Sequence, residues 1–289
     1  MSDSPIQNVS DTAFLVAAYR AAETERPAPL FRDPLAERLG GPKGREIIAG
    51  LPKKALAGGW SVVIRTCIID RFLQAAIAEG VDTVLNLGAG LDTRPYRLEL
   101  PAELRWVEVD FRDVIQLKEA KLAGEKPRCH LDRIVTDLSD ARQRRALLAE
   151  LAARSRKVLV LTEGVIPYLT EAEVASLASD LRALPSFRYW IADYFSAAAY
   201  EYRRRQGMTK AMKYAPFRFE PVDYFGFFLR QGWKPRTIRY LGEEGERLHR
   251  PFPMHWALRL WVRLITALAP AEKAAALKQF AGYVWFEPA

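Results

Sequence analysis

Histidine and cysteine are scarce in this sequence. Its 289 residues include two cysteines, Cys67 and Cys129, and three histidines, His130, His249 and His255. Neither set has the spacing of a zinc site, and two cysteines make no disulfide framework. No apolar run approaches the ~20 residues that a membrane-spanning helix needs. The start, Met1-Ser2-Asp3-Ser4-Pro5, lacks the charged and apolar blocks of a secretory signal. Repeats and low-complexity segments are also missing. These absences leave an ordinary globular protein, expected in the reducing cytoplasm, without a metal centre. The apolar share of 49% and charged share of 27% agree with that class. The balance of 43 Lys and Arg against 35 Asp and Glu gives +8, compatible with an anionic partner or with simple solubility.

Short β-branched runs alternate with helical patterns, which predicts a mostly parallel sheet in an α/β fold. The predicted strands are Thr83–Leu87, Arg105–Asp110, Arg133–Thr136, Val158–Thr162, Tyr189–Asp193, Arg236–Leu241 and Gly282–Phe286. Helical patterns fall near residues 112–123, 140–153, 171–183 and 221–231. Residues 1–79 read as a helical front end, 80–193 as a cofactor-binding core, 194–281 as cap insertions carrying the sixth strand, and 282–289 as the last strand. All belong to one expected domain, with a break at Leu51-Pro52. In the amphipathic stretch Trp60–Ala78, Ile68, Ile69, Phe72 and Ala76 form an apolar side and Asp70, Arg71 and Gln74 a polar one. Arg65 lies one turn before Ile68 on the apolar stripe, so it must find an anion or reach outward.

The stretch Thr83-Val-Leu-Asn-Leu-Gly88-Ala-Gly90-Leu-Asp92-Thr-Arg94 carries the chemistry. A strand ends in Gly88-x-Gly90, where missing side chains let a ligand approach the backbone. Asp110 ends the next strand, placed to accept two ribose hydroxyl protons. Dinucleotide-binding oxidoreductases share this much and form the rival class. However, Thr93 occupies the position of their third glycine, and further acids follow the next strands, Asp137 and Glu163. Carboxylates there suit an amine, a sulfonium and an adenine amino group, and repel phosphates. The plainer readings are that Asp137 caps the helix beginning near Asp140 and that Glu163 is a solvated loop acid. Arg94 either orients the loop by binding backbone carbonyls or meets a substrate anion.

The strings Leu87-Gly88-Ala-Gly90-Leu-Asp92-Thr-Arg94, Arg32-Asp33-Pro34, Glu108-Val-Asp110 and Leu161-Thr-Glu163-Gly164-Val-Ile-Pro-Tyr168-Leu169 resemble the leucine carboxyl methyltransferase family, over about residues 12–193 and weakly again at the end. The resemblance implies a Rossmann-like seven-stranded sheet with its last strand antiparallel, and S-adenosyl-L-methionine as cofactor. It implies cofactor contacts at Gly88, at Asp110 for the ribose, at Asp137 and Leu138 for the adenine, and at Glu163. Arg20 and Arg65 match the family's basic residues at the cofactor carboxylate, although Arg20 also reads as a solvated helix charge.

The expected reaction is O-methylation of a carboxylate or hydroxyl on a small molecule, in the manner of an aromatic polyketide acid of secondary metabolism. A protein C-terminal carboxylate or a tRNA base is the alternative acceptor. No catalytic base is assigned, which favours a carboxylate, already ionised at neutral pH. The aromatic and basic segment 194–236 suits an acidic aromatic acceptor, or is simply core. No RNA-binding signature is evident. Phe252–Leu268 reads as a helix on the sheet or, less simply, on a lipid surface.

Overall fold

The computed structural model describes residues 9–50, 56–205, 216–256, 260 and 279–289. Three helices lead the chain: α1 (Val9–Thr24), α2 (Ala36–Gly50) and α3 (Leu56–Ala78). The alternating part follows as β1 (Thr83–Leu87), α4 (Arg94–Arg97), β2 (Arg105–Asp110), α5 (Arg112–Lys121), β3 (His130–Val135), α6 (Ala141–Arg154), β4 (Val158–Thr162), α7 (Glu171–Arg182) and β5 (Phe187–Phe195). After α8 (Ala197–Arg205) come a short helix Tyr224–Arg230, β6 (Trp233–Tyr240), a second short helix Leu241–Arg247 and β7 (Ala281–Pro288).

The seven strands form one sheet in the order β3-β2-β1-β4-β5-β7-β6. Pairing is parallel from β3 to β5, while β7 runs antiparallel to both β5 and β6. Every residue of β1 and β4 is buried, as expected of central strands covered on both faces. The two edge strands differ from the sequence prediction. β3 starts at His130 and β6 at Trp233, each three residues before its predicted start. Both carry charged residues along their exposed sides, so an apolar run marks only part of each.

One face of the sheet packs Leu147, Leu148 and Leu151 of α6, Leu177 and Leu181 of α7, and Phe227 and Phe228 against Trp190 and Phe286. The other face takes Ile64, Ile68, Ile69, Phe72 and Leu73 of α3 against Trp106, Tyr189 and Trp285. The polar side expected of α3 needs one correction: Arg71 and Gln74 are exposed, but Asp70 is buried. It turns inward because two arginines meet it there. Phe219, Tyr224, Phe227, Phe228 and Trp233, expected in a cap, are buried in the sheet's core. The Leu51-Pro52 break and most of Phe252–Leu268 lie outside the described residues. No helix among the described residues is long and apolar enough to cross a membrane.

Candidate functional site

At the carboxyl ends of β1 to β4, beneath α1, lies a cavity of about 450 Å³. Crevices at this end of an open α/β sheet are where such folds take ligands. Arg20, Arg65, Gly88, Gly90, Asp110, Asp137, Leu138 and Glu163 all line it. They arrive from α1, α3 and the ends of four strands.

The floor is the loop after β1. Gly88 has φ 68°, in the left-handed region that glycine adopts without penalty. A Cβ there would also sit 2.5 Å from Val165 Cγ2. The Gly90 N–H donates to Asp110 Oδ2 at 2.6 Å and the Phe111 N–H to Oδ1 at 2.8 Å. Asp110 therefore fastens the glycine loop to β2, and each oxygen keeps a further lone pair. Burial pushes its carboxyl above the usual range, opposed by those two N–H groups. At the position of a dinucleotide fingerprint's third glycine, Thr93 is buried and donates to Asp33 Oδ2 at 2.6 Å.

Arg94 is a structural residue of the loop, and its partners are carboxylates instead of the carbonyls expected for that role. It is 2% exposed and reaches Asp70 at 2.7 Å, Asp92 at 3.0 Å and Glu163 at 2.7 Å. Arg97 holds both oxygens of Asp70, at 2.7 and 2.8 Å. Arg20 donates to Asp33 at 2.8 Å and to the Leu91 carbonyl at 2.6 Å, so it is no solvated helix charge. Arg65 Nε lies 2.9 Å from Glu163 Oε1 but is not aligned with it as a hydrogen bond. The contact is an ion pair whose donor direction remains available.

Burial raises the carboxyl of Glu163, but the Arg94 and Arg65 guanidinium groups outweigh it and hold the acid below the usual range. The same contest, decided first by Arg94, keeps Asp92 ionised. Four cations (Arg20, Arg65, Arg94, Arg97) thus meet four anions (Asp33, Asp70, Asp92, Glu163) beside the cavity. Balanced pairing is the condition for keeping charges buried.

On the adenine side expected from the resemblance, Asp137 Oδ1 accepts from the N–H and hydroxyl of Ser139 at 2.9 and 2.7 Å. Asp140, not Asp137, caps α6, accepting from the Arg142 and Gln143 N–H groups. None of the three histidines lines the cavity. Tyr168 does, where burial raises its phenol above the ordinary value and it hydrogen-bonds with Thr12 of α1.

Asp33, Asp70, Asp92 and Asn86 were not singled out from the sequence as site residues. Asp33 and Asp92 stood inside the recognised strings. Asp70 had only its place on the same helix, five residues past Arg65, to suggest it. Asp193, at the end of β5, was also passed over, although acids already followed β2, β3 and β4. Among the described residues, no cluster of three or more His, Cys, Asp or Glu is placed to hold a metal ion.

The model of a family described as leucine carboxyl methyltransferase matches residues 13–182. A Frankia alni protein, provisionally named an S-adenosyl-L-methionine-dependent methyltransferase, is 36% identical over 183 residues, or 60% of this chain and 64% of that one. The chain thus spans just under two thirds of that relative. A Parafrankia protein with the same kind of name is 32% identical over 250 residues, or 83% of this chain and 77% of that one. The crystal structure of a provisionally named methyltransferase from Thermobifida fusca superposes with a TM-score of 0.58 at 13% identity, covering 99% of this chain and 96% of that one. At that identity the likeness concerns the fold. By the span of its family match and by its relatives, the chain belongs to the leucine carboxyl methyltransferase family.

Proposed function

We propose that this protein binds S-adenosyl-L-methionine in the cavity over Gly88 and transfers its methyl group to an oxygen of a small acidic acceptor. One observation carries the reading: Arg20, Arg65, Gly88, Gly90, Asp110, Asp137, Leu138 and Glu163, from six segments of the chain, line one cavity. The donor set fits that cofactor. Arg65 Nε is buried without an aligned acceptor and suits a carboxylate. Ionised Glu163 suits an ammonium, the remaining lone pairs of Asp110 suit ribose hydroxyls, and Asp137 and Leu138 suit an adenine edge and face.

When bound, the cofactor would supply an electrophilic methyl carbon, taken up by the acceptor oxygen as its carbon–sulfur bond breaks and S-adenosylhomocysteine leaves. The protein's part is then orientation and exclusion of water. Arg65 and Glu163 hold one end, Asp110 the middle, and α1 with Tyr168 closes the wall. At neutral pH the raised phenol of Tyr168 is a donor, not a base. A carboxylate acceptor needs no base, and this favours it over an alcohol. Arg218 at the rim, beside the aromatic Tyr168, suits a planar acid such as an aromatic polyketide-type product. In this reading the helical front end (residues 1–79) closes the pocket and lends Arg20 and Arg65 to the cofactor, 80–193 supply its other contacts, and Arg218 of 194–281 meets the acceptor.

Titration calorimetry with S-adenosylmethionine, S-adenosylhomocysteine and NADH tests the reading. The first two should bind in the micromolar range and NADH should not. Binding of NADH alone, or of none, overturns it. Acceptor class then follows from a methyl-transfer screen of aromatic acids against matched phenols.

A further inference from the structure

We propose that Asp193 is a positioning residue, the buried clamp that sets the turn Glu163–Val165 against the cofactor pocket. Its side chain is outside the machinery described above. Asp193 sits at the carboxyl end of β5, 3% exposed, directly opposite Tyr283 of β7. Its Oδ1 accepts from the Tyr283 hydroxyl at 2.6 Å, and its Oδ2 accepts from the Gly164 N–H at 2.8 Å. The Tyr224 hydroxyl donates to its backbone carbonyl. One carboxylate therefore joins β5 and β7 to the residue that follows Glu163.

That residue sits at a tight turn that shapes the cavity. Gly164 has φ 68°, a left-handed turn that reverses the chain immediately after the ion-paired acid. The next residue, Val165, covers the place where a Cβ on Gly88 would stand. The turn thus carries two walls of the cavity at once, Glu163 on one side and Val165 on the other. Release of the Gly164 N–H would let both shift together. It would also leave a half-buried N–H without its acceptor.

The electrostatics agree with the geometry. The titratable and charged groups that act on Asp193 are Tyr283 of β7, Arg65 of α3, Glu163 and Tyr168 beyond β4, Tyr200 of α8 and Tyr224. Burial pushes its carboxyl up to about 6, opposed by the Tyr283 hydroxyl and Arg65. An acid kept here at that expense needs a role, and its hydrogen bonds lead to the turn.

The proposal rests on the cofactor reading of the cavity, and the experiment separates the two. S-adenosylhomocysteine is titrated into the wild type, Asp193→Ala, Asp193→Asn, Tyr283→Phe and Glu244→Gln, with a melting temperature for each. Glu244 pairs with Arg71 and Arg247 away from the cavity, so its variant controls for lost stability. Loss of a charge-assisted hydrogen bond predicts Kd at least about tenfold higher for Asp193→Ala. An amide can accept from Gly164 and donate to Tyr283, so Asp193→Asn should return Kd to within about threefold of wild type. Glu244→Gln should lower the melting temperature and leave Kd unchanged. Should Asp193→Ala fail to fold, Tyr283→Phe is read instead, with Kd expected about threefold higher. Wild-type affinity in Asp193→Ala, or in Tyr283→Phe where that variant replaces it, overturns the clamp and leaves the cofactor reading standing. Absence of binding to the wild type overturns the cofactor reading itself.

Discussion

Two buried regions meet at β4 and β5, and they are built from opposite materials. Beside the cavity, four arginines and four acids pair with one another. Behind β5 and β7, Trp190 packs on Phe228 and Trp233 with centroids 5.2 and 5.6 Å away, and Phe228 on Phe286 at 4.5 Å. The aromatic region gains from leaving water, and its indole N–H groups are satisfied by Thr162 and the Ala178 carbonyl. The charged region pays for leaving water and recovers the cost only when every partner is present. One region supplies stability; the other supplies direction, fixing where cavity-facing groups point.

The sharpest way to break this comparison is Arg94→Ala, which takes one cationic partner from each of Asp70, Asp92 and Glu163. Removal of one partner from such a cluster should destabilise the fold by about 3–5 kcal/mol and also abolish cofactor binding, as read from urea unfolding and calorimetry. Phe228→Ala should cost a similar ~3–5 kcal/mol through its cavity, but the folded fraction should keep its affinity. Equal affinity losses in the two variants would erase the distinction. Asp110→Ala comes next: affinity should fall about tenfold or more, by the worth of a charged hydrogen bond, with a small change in melting temperature.

The smallest effect is in pH. Asp193 is raised to about 6, so its stabilising contribution is present at low pH and is lost as pH rises through that value. Asp92 and Glu163 are lowered, so theirs is present at neutral pH and is lost in acid, below the ordinary carboxylate range. The urea midpoint of the wild type should therefore rise modestly from pH 7 to pH 5 and collapse below pH ~4. In Asp193→Asn the rise should shrink to the part that the raised Asp110 supplies, and the collapse should remain.

Much of this was legible from the residues. The apolar runs of β1 and β4 announce central strands, and Gly88, Asp110 and Glu163 mark strand ends that face one crevice. The edge strands were read short because Asp132 and Lys234 interrupt their apolar pattern on sides that face solvent. Asp70 looked like a surface residue because helical periodicity reports a face and knows nothing of Arg94 and Arg97, which reach it from α4. The aromatics of 217–233 invited a pocket because composition cannot tell a wall from a core. Pairing across distant segments decides both cases, and a single sequence does not display it.

The place of β7 has a consequence for how the molecule comes into being. It follows β6 in the chain yet lies between β5 and β6. During synthesis β6 emerges with no neighbour to pair with, and β5 presents an open edge until residues 281–288 leave the ribosome. Tyr283 rides on that strand, so one of the two partners of the Asp193 side chain is delivered after every residue lining the pocket has been made.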